Sequence, residues 1–248
     1  MLRSIPNGYG IAVKLRDAEY PGPSGMMIAE AKPNPSRGDS RIRIENVSGS
    51  NYHDIPSADF GFDCKSCLYW EMEWGQSVRE VREPEAAKRQ WFTTSSGFYG
   101  PCGKLVYDGD KVVAWAQYAP ASCFPRAGGY HTHPGNDAYL ITCLAVAPSH
   151  RHKGVATMLL STIIRDLEER GVSAVETFAK KNGSDNPSGP VGLYLKKGFK
   201  VKADDPEFPL LRLDIHPFPI KIPQQNTPAD FGNIFVTRDF PRGSRFVH

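Results

Sequence analysis

A near-continuous apolar run from Tyr139 to Val146 limits how this chain can fold more than any other feature. With Thr142 its one hydroxyl-bearing break apart from the tyrosine, it reads as a central strand buried on both faces. Such a strand needs covering layers, and the sequence supplies one directly downstream. From Gly154 to Arg170 the apolar positions Val155, Leu159, Ile163 and Leu167 recur every fourth residue, Ala156, Leu160 and Ile164 widen the stripe, and Gly171 supplies a stop. Strands are also expected at Arg41–Glu45, where apolar and polar residues alternate, and at Val172–Phe178. Gly103–Tyr107 and Lys111–Ala116 flank Asp108-Gly109-Asp110, a hairpin signal. Pro84 opens a helix over Glu85–Phe92, Val191–Lys197 forms a short helix closed by Gly198, and Phe199–Val201 with Leu210–Ile215 make a last hairpin. That order of elements is a mixed α/β sheet.

Both ends differ from this middle. Residues 1–40 hold ten Gly or Pro, including Pro21-Gly22-Pro23-Ser24-Gly25, and are expected to form an extended or mobile arm. Residues 217–248 are punctuated by Pro217, Pro219, Pro223, Pro228 and Pro241, yet carry Phe218, Ile220, Phe231, Ile234, Phe235 and Phe240. So apolar a tail is expected to dock, on its own body or on a second copy, which is compatible with a homodimer. The domain proper is expected over 41–216. The arm carries one net positive charge, the tail two, and the middle none, which argues against nucleic acid as a partner. No stretch reaches the about 18 consecutive apolar residues of a membrane span. No apolar leader follows Met1, and the five cysteines fit reduced thiols of a cytoplasmic protein.

The chemistry concentrates after the long strand, in Ser149-His150-Arg151-His152-Lys153-Gly154-Val155-Ala156. A strand running through a basic, glycine-containing loop into a helix N-terminus directs unpaired N–H groups and the positive dipole end at one point, which is an anion cradle. Small residues at Gly154 and Ala156 let the backbone approach a pyrophosphate, while Arg151, His152 and Lys153 add charge. The alternative for the loop alone is a turn with solvated basic residues.

Arg151-x-x-Gly154-x-Ala156 resembles the Q/R-x-x-G-x-G/A signature of the GNAT N-acetyltransferase superfamily. Gly192-Leu193-Tyr194-Leu195-Lys196-Lys197-Gly198-Phe199 is similar to that superfamily's helix with Leu-Tyr before Gly-Phe. The resemblance covers residues 41–215 by element order and about 139–200 by motif. It implies a mostly antiparallel mixed sheet flanked by helices and an acyl donor, acetyl-CoA. By that resemblance, the backbone of Arg151, His152, Lys153, Gly154, Val155 and Ala156 would hold the pyrophosphate. The Leu144, Ala145 and Val146 backbone would pair with the pantetheine arm as an added strand. Tyr194 would protonate the leaving thiolate. The family's Asn-x-x-Ala ahead of the tyrosine is replaced here by Pro187 and Pro190, leaving Asn186 as the candidate polar contact.

The acceptor implied is a primary amine, on a small molecule or a protein, and its proton needs a base. Candidates are Glu71 and Glu73, taken as one face of an extended segment beside aromatic residues, and Glu176; Glu71 is favoured. Two solvated carboxylates on an edge strand are the competing reading. His131 and His133 sit in the loop before the long strand. Cys64-x-x-Cys67 reads as packed thiols, as half of a zinc site, or as a redox pair; no second pair has ligand spacing, and no metal is assigned. Two function classes follow: an acyl-CoA-dependent N-acyltransferase working by direct transfer, or an acyl-CoA-binding regulatory module on the same fold.

Overall fold

The computed structural model describes residues 42–57, 60–182 and 187–215. The arm 1–40, the tail 217–248 and Asn186 lie outside the described residues. Among the described residues seven strands form one sheet: β1 (Ile42–Asn46), β2 (Gly103–Asp108), β3 (Lys111–Pro120), β4 (Ala138–Val146), β5 (Ala174–Phe178), β6 (Lys200–Ala203) and β7 (Leu210–Asp214). Their spatial order is β1-β2-β3-β4-β5-β7-β6. Only β4 and β5 run parallel; the other neighbours are antiparallel. The expected mixed, mostly antiparallel sheet is what the chain forms.

Side chains alternate across the sheet and build two cores. On one face Leu105, Tyr107, Trp115 and Cys143 meet Trp91 and Phe92 of α1 (Pro84–Tyr99) and the upstream segment containing Tyr52, Ile55, Phe60, Cys64 and Trp70. On the other, Val106, Ala114, Ala116, Ile141 and Leu144 meet Val155, Leu159, Leu160, Ile163 and Leu167 of α2 (Val155–Glu169) and Tyr194 of α3 (Val191–Leu195). The every-fourth-residue stripe of the sequence is therefore the buried face of α2. Helix α1 runs seven residues beyond the expected end at Phe92, because Ser95 continues the face that Trp91 and Phe92 bury, and Gly100 ends it.

The pairing of β4 decides where a site can form. It follows β3 from Val146 back to Tyr139, with a bulge that leaves Thr142 without an opposite residue. With β5 it pairs only at Ala138, Tyr139 and Leu140. Beyond Leu140 the two parallel strands separate. At the sheet's other junction Glu176 is locked: Oε1 accepts from Arg212 and from Lys202, both at 2.8 Å, and Oε2 from the Gly135 N–H at 2.9 Å. The carboxylate ties β5, β6, β7 and the loop before β4 together, so its part is structural.

The sheet packs tightly at β2. A β-carbon at Gly103 would lie 2.9 Å from Val47 Cγ2, 3.0 Å from Phe92 Cε1 and 3.1 Å from the Ala116 carbonyl oxygen. Gly103→Ala is expected to destabilise the domain by about 1–3 kcal/mol through overpacking, read as a lower midpoint in urea unfolding with an unchanged slope.

Candidate active site

The end of β4 and the start of α2 open on a cleft of about 290 Å³. Leu144, Ala145, Val146, His150, Arg151, His152, Gly154, Val155, Ala156 and Thr157 line one side. Gly189, Pro190 and Leu193 line another, and Phe62 reaches it from the upstream segment. Eight of the sequence-derived binding positions, Leu144 to Val146, Arg151, His152 and Gly154 to Ala156, thus line the cleft, while Lys153 is exposed and does not.

The loop geometry suits an anion. His152 takes φ 61° and Gly154, the residue capping α2, takes φ 83°. Alternating left-handed residues turn successive N–H groups toward one concave side. Among the described residues no side chain caps α2, and its first intrahelical bond runs from Met158 N–H to the Gly154 carbonyl at 3.0 Å. The N–H groups of Val155, Ala156 and Thr157 therefore have no partner within the helix. His150 steadies the loop: its Nε2 lies 3.0 Å from Asp108 Oδ2 and its Nδ1 2.9 Å from Ser149 Oγ. Phe62 and this His150–Asp108 pair were not legible in sequence, since each joins segments more than forty residues apart.

The β4 edge facing β5 already has partners. The Leu144 N–H donates to the Pro187 carbonyl, and Arg151 Nε donates to the Val146 carbonyl at 3.2 Å. Tyr194 is fully buried, and its hydroxyl donates to the Ser188 carbonyl at 2.7 Å. Burial pushes the phenol above its ordinary value, so it keeps its proton.

Glu71 and Glu73 do not share a face. The segment turns, with Met72 N–H bonding the Leu68 carbonyl, so Glu71 is buried at 2% exposure while Glu73 is exposed. The extended-segment expectation fails because the buried Leu68, Trp70 and Met72 pull a compact turn onto the sheet. Glu71 Oε1 accepts from Lys88 Nζ at 2.6 Å and from Gln117 Nε2. Lys88 is itself 2% exposed. Burial, the largest single effect, would lower its ammonium, but the Glu71 carboxylate and the smaller contributions beside it together hold it above its ordinary value. Glu71 Oε2 and Gln117 Oε1 are buried without a hydrogen-bond partner among the described residues. Gln117 lies opposite Cys143 in the β3–β4 ladder, so this polar group sits against β4 on the face away from α2.

The cysteines are quiet. Cys64, Cys102, Cys123 and Cys143 are buried, and burial raises the thiols of Cys64, Cys102 and Cys123 to about 12 and that of Cys143 well above its ordinary value. All four are free thiols, as is the partly exposed Cys67. Among the described residues no three His, Cys, Asp or Glu side chains are grouped to hold a metal ion. His131 and His133 are exposed on their loop. Among the described residues no helix is long and apolar enough to cross a membrane.

Breaking the buried pair has a defined cost. Lys88→Met is expected to destabilise the domain by about 3–5 kcal/mol, because it leaves the Glu71 carboxylate buried without its cation. Adding Glu71→Gln should recover part of that loss, and a double-mutant cycle from urea unfolding measures the coupling.

No curated protein matches the chain in sequence. Among solved structures, the PaiA N-acetyltransferase of Thermoplasma acidophilum in complex with coenzyme A is 15% identical, with a TM-score of 0.46 over 70% of this chain and 98% of that one. The ribosomal-protein-S18-alanine N-acetyltransferase of Escherichia coli is 13% identical, with a TM-score of 0.43 over 73% and 98%. A GCN5-related N-acetyltransferase from Kribbella flavida is 18% identical, with a TM-score of 0.45 over 70% and 97%. The assignment rests on none of these but on the acetyltransferase (GNAT) family model, which matches residues 64–199, more than half of the chain and every residue lining the cleft except Phe62. The protein belongs to the GNAT acetyltransferase family.

Proposed function

We propose that the protein transfers an acetyl group from acetyl-CoA to a primary amine by direct attack. The observation that carries this reading is the uncapped N-terminus of α2 opening on the cleft at the end of β4. Pyrophosphate charge suits that end of the helix, where the N–H groups from His152 to Ala156 lie with the helix dipole, while the Arg151 N–H already donates to the Pro148 carbonyl at 3.4 Å. Acetyl-CoA supplies the activated acyl group; the chain's residues bind, orient and move protons. The β4 backbone at Leu144 and Val146 borders the path of the pantetheine arm. Tyr194 stands beside that path with its proton in place, the state a general acid for a departing thiolate needs. On the opposite face Glu71 Oε2, buried and without a partner among the described residues, is the atom available to take a proton from the amine.

A second reading is an acyl-CoA-binding module with no efficient turnover. What favours it is that both catalytic candidates are engaged, Tyr194 with Ser188 and Glu71 with Lys88.

Two measurements test these readings. Calorimetry should show micromolar binding of acetyl-CoA that Arg151→Ala combined with Gly154→Pro abolishes; absence of binding by the natural chain would remove both. In a thiol-release assay against a panel of primary amines, Tyr194→Phe should lower kcat by about 10²–10⁴-fold while acetyl-CoA binding is retained. Binding without release for every amine would select the module.

A further inference from the structure

Where β4 and β5 separate, one short piece of chain fills the gap between them. It runs from Pro187 to Pro190, and each of its residues makes a bond or bridge across the gap. The Pro187 carbonyl accepts the Leu144 N–H of β4. Ser188 Oγ donates to the carbonyl of Phe178, the last residue of β5, at 2.6 Å, and the Ser188 carbonyl accepts the Tyr194 hydroxyl at 2.7 Å. The Gly189 carbonyl accepts the Lys180 N–H at 3.0 Å, and Pro190 bridges Lys180 in parallel register. A β-carbon built on Gly189 would stand 3.7 Å from the Leu144 carbonyl oxygen and 3.8 Å from the Tyr194 hydroxyl, so the turn lies flat along the β4 edge. Gly189 and Pro190 also line the cleft. The turn thus ends the cleft at the point where a thioester arm would have to cross the sheet.

One N–H serves one strong acceptor. The Leu144 N–H cannot pair with both the Pro187 carbonyl and a pantetheine amide, and a hydroxyl donating to Ser188 cannot at once donate to a leaving sulfur. We propose that the Pro187–Ser188 turn and the acyl-CoA arm compete for the β4 edge, and that Ser188 is the positioning residue that holds the turn there. This rests on the cofactor reading above. Arm binding then displaces the turn from Leu144 and frees the Tyr194 hydroxyl in one movement, so the acid becomes available only once the donor is seated. The ligand binds one of two arrangements, and its observed affinity is reduced by the share of molecules in the other.

Removing the Ser188 hydroxyl deletes its bond to the Phe178 carbonyl, a bond of the closed arrangement. Ser188→Ala is therefore expected to bind acetyl-CoA about 3- to 10-fold more tightly than the natural chain, the equivalent of one ordinary hydrogen bond. Adenosine 3′-phosphate 5′-diphosphate, which has the pyrophosphate but no pantetheine, should bind both proteins equally. A purely structural serine would not separate the two ligands. Calorimetry with both ligands on both proteins reads this directly. Equal or weaker acetyl-CoA binding by Ser188→Ala, or an equal change for both ligands, overturns the competition while leaving the cofactor reading intact. No binding of either ligand to either protein overturns both. Hydrogen exchange on the natural chain gives a second measurement that needs no variant. Saturating acetyl-CoA should speed exchange at the Lys180 N–H, which loses the Gly189 carbonyl, and leave Leu144 protected by its new partner; unchanged or slower exchange at Lys180 counts against the turn's displacement.

Discussion

The site depends on a single constraint, the separation of β4 from β5. Strand β4 stays hydrogen-bonded to β3 along its length but keeps β5 for only three residue pairs. The bulge at Thr142 bends it, and the parallel neighbour cannot follow. A central strand with an unpaired inner edge would ordinarily be costly, since buried backbone N–H and C=O groups need partners. Here the partners come from outside the sheet, from the Pro187 carbonyl and the Arg151 side chain. The groups that a cofactor arm would use are thus satisfied within the chain without being committed to a permanent strand.

The two faces of the sheet divide the chemistry. The α2 face presents uncapped N–H groups and the left-handed residues His152 and Gly154 at the cleft, and its buried Lys104 and Tyr118 are bound to Asp166 of α2. The opposite face buries the Glu71–Lys88–Gln117 group among Trp91, Trp115 and Cys143. A buried ion pair of this kind adds little net stability, because desolvation of both charges offsets their attraction. What it does is fix a carboxylate against β4 with one oxygen left over. Proline at 187 and 190 suits the gap between the faces. Neither residue has an N–H to satisfy there, and the carbonyl of Pro187 is what β4 receives.

Much of this was legible in the chain. The apolar run Tyr139–Val146 and the stripe Val155–Leu167 named the buried strand and helix because solvent-exclusion patterns are local and periodic. The glycine at 154 marked the turn into α2, because the residue that caps the helix takes φ 83°, where glycine carries no steric cost. The short segment carrying Glu71 and Glu73 was misread as extended, since its apolar residues are buried by a turn: Leu68, Trp70 and Met72 go in, and Glu71 goes in with them.

Sequence by itself determined the order of strands and helices, the loop into α2, and the Leu-Tyr helix that carries Tyr194. These are settled by spacings within about twenty residues, where backbone geometry alone relates one side chain to the next. Only the tertiary structure decided that Lys88 would meet Glu71, that Phe62 would reach the cleft, and that Ser188 would hold the Tyr194 hydroxyl against the end of β5. Each of those contacts depends on how separate elements pack, and the Ser188 contacts sit where β4 and β5 splay. The splay follows the bulge where β3 and β4 pair around Thr142, which no local pattern in the chain encodes.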